Sequence, residues 1–332
     1  MRIKEKDYAI GADTLAFEMV IGGADEGVSL DWTSLIGDYG RDFGKVKVDK
    51  GKIHIRLNLP KLVRENNTMP FSVVDFIMLE SIRNDIKQAL EEALEGKLDG
   101  EIDVWAATAK SIECNLTSQT AGYSTCSQVL NAIHRSYYEG TNVVFQRASA
   151  KCQYDKENET VIVTKKNCYA LKSYDKTLEQ RKKGNKEVEA DLLRIEVVMQ
   201  ARTIQKLFGK NSTIRDVLTE QGLAKIIKEY KRIFREDVIK GHIVPCLNNV
   251  SDILFASLKK TDRRIETIAR WKELVVDEEV LRRALVKWYR HQGYDQERAK
   301  RNADTYVCRC RAKYGFPRDV ISTFRHFKKL CE

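Results

Sequence analysis

The hydrophobic and polar positions of this chain follow two different periods. Up to residue 199, short runs with a period of two predict strands, and stretches with a helical period lie between them. From residue 200 onwards the period is helical almost throughout. The pattern predicts an α+β fold, in which helices cover a largely antiparallel sheet core, followed by a mostly helical C-terminal domain.

The predicted elements before residue 169 carry clear local signals. Lys52–Pro60 alternates cleanly and is followed by turn chemistry at Asn66–Asn67. Apolar residues from Phe71 to Leu90 recur at steps of three and four, which predicts a helix that ends by Gly96. The other predicted elements are strands at residues 13–21, 102–118, 142–147 and 160–164, a helix at residues 125–138, and a Gly-rich acidic loop through Gly37.

A tyrosine beside a lysine and a glutamate stands at the end of one predicted strand. Alternation over residues 169–174 predicts a strand that delivers Tyr174, with Lys176 and Glu179 following at the start of a helix. A phenol is a poor nucleophile at neutral pH, because its usual pKa is about 10. Lys176 or a bound cation would favour the phenolate and so activate Tyr174.

The next predicted strand places two charged residues on one face. In Leu192–Met199, Arg194 and Glu196 share one side, while apolar residues share the other. If Tyr174 attacks a phosphodiester, the charge on the phosphate oxygens must be neutralised during the in-line displacement. A divalent ion held by carboxylates is suited to that role. Glu179 and Glu196 are therefore candidate ligands, and Glu113, on the polar face of an earlier strand, is a third. Mg²⁺ or Mn²⁺ is the expected ion, since oxygen ligands suit hard cations.

Charge is distributed unevenly along the chain. Residues 1–200 carry 28 Lys and Arg against 31 Asp and Glu, whereas residues 201–332 carry 30 against 17, an excess of +13. This excess predicts that the second part binds the DNA backbone, although solvated helix faces would have the same composition. We accordingly expect a nicking domain at residues 1–209 and a basic helical DNA-binding domain at residues 210–332. The candidate DNA-binding residues are Lys61, Arg202, Lys206, Lys228, Arg232, Arg263, Arg264, Arg282 and Arg283.

The composition argues against a membrane or a secreted protein. No apolar run approaches the ~20 residues that span a bilayer. The first residues, MRIKEKDYAI, are charged, and the eight cysteines include no CxxC pair. We therefore expect a cytoplasmic protein with reduced thiols.

Three segments carry a resemblance to a known family. SYDKTLE resembles a motif in which a lysine and then a glutamate follow a tyrosine, and LLRIEVVMQARTIQKLFG is similar to an Arg-x-Glu strand followed by a basic helix. IHIRLNLPKLVRENN resembles an upstream strand that ends in Leu-Pro-Lys and an asparagine pair. These motifs belong to the filamentous-phage gene II-type replication initiators and their plasmid and phage relatives. The resemblance covers roughly residues 50–210 and implies a rolling-circle initiator or relaxase-like fold.

The resemblance also implies roles for individual residues. Tyr174 becomes the nucleophile that nicks one strand at an origin, stays joined to the 5′ phosphate and leaves a 3′ hydroxyl. Lys176 and Arg194 form its catalytic setting. The family's acidic position falls at Glu113, although Ser111 stands where the family has an arginine. The implied partners are origin DNA, as a single-stranded or extruded segment, together with a host helicase and polymerase.

Simpler interpretations stand beside each of these. Tyr174 also fits an ordinary strand-end tyrosine, and Arg194 with Glu196 fits a cross-strand ion pair. Residues 154–156 repeat the Tyr-Asp-Lys triplet, with Glu159 again five residues after the tyrosine. They lie in a predicted hairpin turn without an Arg-x-Glu strand at the right distance, so we interpret them as a decoy. The alternative functions are a conjugative relaxase and a non-catalytic DNA-binding replication regulator.

Overall fold

Nine strands lie within the part of the chain that the computed structural model describes. The described residues are 8–21, 27–37, 40–65, 67–98, 103–120, 125–138, 150–155, 157–184, 192–259, 278–314 and 320–332. The strands are β1 Tyr8–Val20, β2 Leu30–Gly37, β3 Arg41–Asp49, β4 Lys52–Asn58, β5 Thr108–Gln119, β6 Ala150–Asp155, β7 Thr160–Lys165, β8 Tyr169–Asp175 and β9 Leu192–Met199. They form one sheet in the order β2-β3-β4-β1-β5-β9-β8-β7-β6.

Helices lie between some of these strands in the sequence and make up most of the C-terminal part. Short 3₁₀-helices occupy Val73–Met78 and Val104–Ala106, and a π-helix occupies Ile233–Ile243. The α-helices are α1 Leu59–Val63, α2 Leu79–Leu94, α3 Cys126–Tyr138, α4 Lys176–Lys182, α5 Ala201–Phe208, α6 Ile214–Val217, α7 Glu220–Arg232, α8 Val244–Lys259, α9 Glu278–His291, α10 Gln296–Tyr314 and α11 Val320–Leu330.

The strand pairings confirm the predicted fold class. The pairs β1–β4, β1–β5, β2–β3, β3–β4 and β8–β9 are all antiparallel. Helices lie between the strands in the sequence, and the chain after β9 is helical in its described residues. Fold class was predictable because strand and helix periods differ over whole segments.

The N-terminal strands depart most from the prediction. The loop predicted through Gly37 is wrong over Leu30–Gly37, which is β2, and β3 was not predicted at all. Most side chains of β2 are exposed or half-buried, because β2 lies at one end of the sheet order. With Leu35 as its one fully buried side chain, its sequence lacks the alternation of a half-buried strand. The strand predicted at 142–147 lies outside the described residues.

Two predicted boundaries shift for local reasons. The strand predicted from residue 102 begins only at Thr108, because Val104–Ala106 form a 3₁₀ turn that Asp103 caps through Trp105 N. The helix predicted from Phe71 begins as a 3₁₀-helix and becomes α-helical at Leu79. The period of hydrophobic residues does not determine the residue at which a strand or a helix begins.

A bulge in β1 and a close backbone contact shape the region beside the site. The pairing of β1 with β5 shifts register between Ala12 and Leu15, which is where Asp13 lies. Ala12 and Phe71 exchange two backbone hydrogen bonds of 2.8 Å. A Cβ atom at Gly11 would lie 1.9 Å from the Phe71 carbonyl oxygen, so this approach requires glycine. The segment before Phe71 is thereby held against β1.

The chain divides into two compact units. The first comprises Met1–Ser118 and Ile162–Tyr230, and the second comprises Gln119–Val161 and Lys231–Glu332. The predicted boundary between residues 209 and 210 separates a nicking domain from a DNA-binding domain. The division into compact units does not test that assignment of functions. In the second unit, a buried cluster joins helices α8, α9 and α10 through Leu254, Leu258, Leu281, Ala284, Leu285, Ala303, Val307 and Cys310. Among the helices of the described residues, none has the length and hydrophobicity that crossing a bilayer requires.

Candidate active site

Tyr174 lies near the end of β8 and forms a hydrogen bond with a carboxylate. It is paired with Arg194 of β9, and its hydroxyl donates to Glu196 Oε1 at 2.7 Å. The tyrosine is 6% exposed. Burial, and then the charge of Glu196, raise the pKa of the Tyr174 phenol well above its usual value. At neutral pH Tyr174 is therefore protonated, and Glu196 Oε1 is placed to accept its proton.

Lys172 lies on the same face of β8 as Tyr174. Its ammonium is 4.7 Å from the centroid of the Tyr174 ring and 3.6 Å from Glu196 Oε2. Lys172 and Glu196 are direct partners across the two strands. The sequence analysis missed Lys172, although the alternation of β8 places it two residues before Tyr174 and so on the same face.

Arg194 is fully buried, and its guanidinium N–H groups donate hydrogen bonds to other groups of the protein. Its Nε donates to Thr117 Oγ1 at 2.8 Å and its Nη1 to Asp13 Oδ2 at 3.0 Å. Its Nη2 donates to the backbone carbonyls of Asn67 and Thr68. The guanidinium therefore joins three distant parts of the chain beside Tyr174, which makes it a positioning group.

Asp13 is a second residue that sequence reasoning missed. Its carboxylate accepts from Asn58 Nδ2 at 3.1 Å, from Asn115 Nδ2 at 3.0 Å and from Arg194. Burial raises the pKa of Asp13, and the charge of Arg194 opposes that rise. The β1 bulge that contains Asp13 has no signature in the period of its strand, so the sequence offered no signal for this role.

Buried Lys176 and half-buried Glu179 form an ion pair at the start of α4. Lys176 Nζ lies 2.7 Å from Glu179 Oε2 and donates to Asn67 Oδ1 at 3.1 Å. Burial, and then the charge of Arg194, lower the pKa of Lys176 to about 8. Burial alone would raise the pKa of Glu179, but hydrogen bonds from Lys176 and Lys183 outweigh it and lower the pKa to about 2. Glu179 is thus held by lysines.

Glu113 lies on the polar face of β5, near other acidic groups. Its Oε1 is 3.9 Å from Arg56 Nη2. Burial, followed by the charges of Glu196 and Asp13, raises the pKa of Glu113 to about 7. Mg²⁺ in proteins commonly uses one or two carboxylates together with substrate phosphates. Glu113 and Glu196 fit such an ion, because their mutual repulsion is what a divalent cation would relieve.

The predicted ligands do not all converge. Across the described ranges, no three His, Cys, Asp or Glu side chains are grouped so that they could hold a metal ion. The charge of Glu196 contributes to the raised pKa of Glu113, whereas Glu179 is bound by Lys176 and Lys183. The metal roles of Glu113, Glu179 and Glu196 stay predictions.

The candidate DNA-binding residues fall in both compact units. The first unit contains Lys61, Arg202, Lys206 and Lys228, and the second contains Arg232, Arg282 and Arg283. Arg263 and Arg264 lie outside the described residues.

Several of these cations have acidic partners within the protein. Lys206 Nζ is 3.8 Å from Glu229 Oε1, and Arg232 Nη1 is 3.8 Å from Asp237 Oδ1. Arg282 binds Asp304, and Arg283 binds Glu279 and Asn248. Arg202 and Lys228 are exposed. DNA binding by this set stays a prediction.

Comparison with known proteins gives a likeness of structure without a match in sequence families. No protein-family model and no curated protein matches the chain. The chain is similar to the solved structure of the rolling circle replication initiator protein from Geobacillus stearothermophilus, with 9% sequence identity and a TM-score of 0.31. The likeness covers 68% of this chain and 84% of the other. A likeness at this level does not define an activity.

Proposed function

We propose that this protein is a rolling-circle replication initiator, a DNA-nicking and joining enzyme that uses Tyr174 as its nucleophile. The observation that carries the proposal is the hydrogen bond from the Tyr174 hydroxyl to Glu196 Oε1, on two paired strands that also supply Arg194 and Lys172. A nucleophile, a proton acceptor and cations thus lie together. The resemblance of both strands to phage and plasmid initiators supports the same function.

The proposed reaction conserves the energy of the phosphodiester bond. A bond forms between Tyr174 Oη and the phosphorus while the bond from phosphorus to the 3′ oxygen breaks. The phenolic proton passes to Glu196 Oε1, and the departing 3′ oxygen takes a proton from solvent. The product is a 5′-phosphotyrosine with a free 3′ hydroxyl, from which the reverse reaction reseals a strand without ATP.

Lys176 and Arg194 support this step by holding the site together. Both bind the Asn67–Thr68 segment, and Arg194 also binds Asp13. Glu113 and Glu196 are the residues that would hold Mg²⁺ or Mn²⁺. When bound, such an ion would neutralise charge that develops on the phosphate.

The proposed substrate is single-stranded or extruded origin DNA. Exposed cations such as Arg202 and Lys228 are proposed to contact its backbone, with the basic residues beyond 210 extending that grip. Affinity should therefore fall steeply as salt is raised. A host helicase and polymerase are proposed to act after the nick.

Covalent capture of DNA tests the proposal. A 3′-labelled pool of random-sequence single strands is incubated with the protein and Mn²⁺, and the label retained on the protein after denaturation is measured. The wild-type protein should retain label, and Tyr174→Phe should retain none. Tyr169→Phe is the matched control, because Tyr169 is a buried tyrosine on the same strand. Adduct formation by Tyr174→Phe would remove the assignment.

A second candidate function is a non-catalytic DNA-binding replication regulator. The observation that favours it is the burial of Tyr174, which leaves only 6% of the residue exposed. A regulator would bind the same single strands in a salt-dependent way and retain no label in Mn²⁺. The capture experiment therefore separates the two functions directly.

A further inference from the structure

In the described residues, three cationic side chains lie around Tyr174: Lys172, Lys176 and Arg194. The last two are buried and already bonded to other groups of the protein. Lys176 is 0% exposed, and its ammonium contacts Glu179 and Asn67. Arg194 is also 0% exposed, with hydrogen bonds from Nε and from both Nη atoms. A phosphate oxygen would have to displace these partners before it could reach either group.

Lys172 has the opposite character. Its side chain is 43% exposed, and its cross-strand partner Glu196 is the residue that binds the Tyr174 hydroxyl. The Lys172 ammonium lies 3.6 Å from Glu196 Oε2, longer than a tight ion-pair hydrogen bond. It is therefore both close to the nucleophile and open to a ligand.

We propose that Lys172 is a catalytic residue that contacts the non-bridging oxygens of the phosphate attacked by Tyr174. This inference rests on the proposed function. As the bond from Tyr174 Oη to phosphorus forms and the bond to the 3′ oxygen breaks, negative charge grows on those oxygens. The half-exposed ammonium of Lys172, which lies 4.7 Å from the centroid of the Tyr174 ring, is placed to neutralise that charge.

The test compares Lys172→Gln with Lys165→Gln in single-turnover capture of the 3′-labelled pool with Mn²⁺. Lys165 is the matched control, because its ammonium lies 5.5 Å from the ring centroid of Tyr169, at the other end of β8 from Tyr174. Lys172→Gln should slow adduct formation on the order of 10²-fold, as for loss of one oxyanion contact. Lys165→Gln should react at the wild-type rate, and Lys172→Arg should restore part of the lost rate.

A second substrate separates contact with the phosphate from support of the fold. The junction cut by the wild-type protein is mapped by sequencing the adducts, and a strand with a neutral methylphosphonate at that junction is prepared. Wild type and Lys172→Gln should react with it at the same rate, because the charge that Lys172 neutralises is gone. A defect that persists on this strand would overturn the proposal.

The remaining outcomes distinguish the two proposals. If the wild-type protein forms adducts and Lys172→Gln forms them as fast as Lys165→Gln, the role of Lys172 is refuted while the nicking function stands. If the wild-type protein forms no adduct, the nicking function fails and the role of Lys172 fails with it. Affinity for the pool in EDTA, measured by fluorescence anisotropy, should change far less than the rate in Lys172→Gln.

Discussion

The two Tyr-Asp-Lys triplets of the chain have the same residues and different surroundings. Tyr154 donates to Glu159 Oε2 at 2.9 Å, and Tyr174 donates to Glu196 Oε1 at 2.7 Å. The first acceptor is five residues away in the chain, whereas the second lies 22 residues away on a neighbouring strand. The glutamate five residues after Tyr174 binds lysines instead. The same spacing thus produces two different hydrogen-bond partners.

Asp155 and Asp175 each accept a hydrogen bond from the backbone N–H three residues later, but the structure that follows them differs. Asp155 accepts from Asn158 N within a turn, and Asp175 accepts from Leu178 N as the N-cap of α4. The helix carries Lys176 into the interior, whereas Lys156 lies outside the described residues.

The charged groups around the two phenols also differ. Burial, and then the hydrogen bond to Glu159, raise the pKa of Tyr154 to about 12. Burial, and then the charge of Glu196, raise the pKa of Tyr174, while Arg194 opposes the rise. Two lysine ammoniums lie 4.7 and 5.8 Å from the centroid of its ring. The comparison teaches that strand pairing, more than the local triplet, decides whether a tyrosine has the environment of a nucleophile.

Removing each glutamate gives the strongest contrast between the two triplets. Glu196→Gln should slow adduct formation by about 10²- to 10⁴-fold, because Tyr174 loses the group placed to accept its proton. Glu159→Gln should leave the rate unchanged. Single-turnover capture of the labelled pool measures both. Equal rates in the two variants would contradict the distinction drawn between the tyrosines.

Loss of the buried arginine should cost more stability than any change at Tyr154. Arg194→Met leaves Asp13 buried without its cation and should lower the free energy of unfolding by about 3–5 kcal/mol. Urea unfolding followed by circular dichroism measures the loss. Adding Asp13→Asn should recover part of it, because no unpaired charge then remains. A double variant no more stable than Arg194→Met would show that the ion pair is not the cause.

The raised pKa of Glu113 predicts a dependence of stability on pH. Its pKa is about 7 in the folded protein against a usual value of 4.5, so the folded state keeps a proton that the unfolded state has released. Stability should fall as pH rises from 4.5 to 7, by roughly 3 kcal/mol at most. Urea unfolding in EDTA at pH 5 and pH 8 measures this.

Glu113→Gln is the control for that pH dependence. Without an ionisable group at position 113, this loss of stability should disappear, so that the variant exceeds the wild type in stability at pH 8 but not below pH 4.5. Mn²⁺ should stabilise the wild-type protein at pH 8 more than it stabilises the variant. An equal effect of the substitution at both pH values would contradict the assigned pKa.

The smallest expected effect belongs to the other tyrosine. Tyr154→Phe removes one hydrogen bond of a half-buried hydroxyl and should lower the free energy of unfolding by about 1 kcal/mol. DNA capture should stay at the wild-type level. Urea unfolding and the capture assay check the two statements, and a loss of capture would give Tyr154 a role that the comparison denies.

Much of the fold follows from local period. Alternation over β4, β8 and β9 was sufficient to predict these strands, and it correctly placed Arg194 and Glu196 on one face. It failed for β2, which lies at one end of the sheet order and has Leu35 as its one fully buried side chain. Period reports burial, so a strand with little burial carries little signal.

The sequence by itself determined which side chains share a face, because the face depends on neighbours two residues apart. Only the tertiary structure decided what each of those side chains meets. Arg194 reaches Asp13 across 181 residues of chain, and Lys176 reaches Asn67 across 109. These contacts depend on the order of strands in the sheet, on the bulge in β1 and on the contact at Gly11, and no repeating pattern along the chain encodes that order.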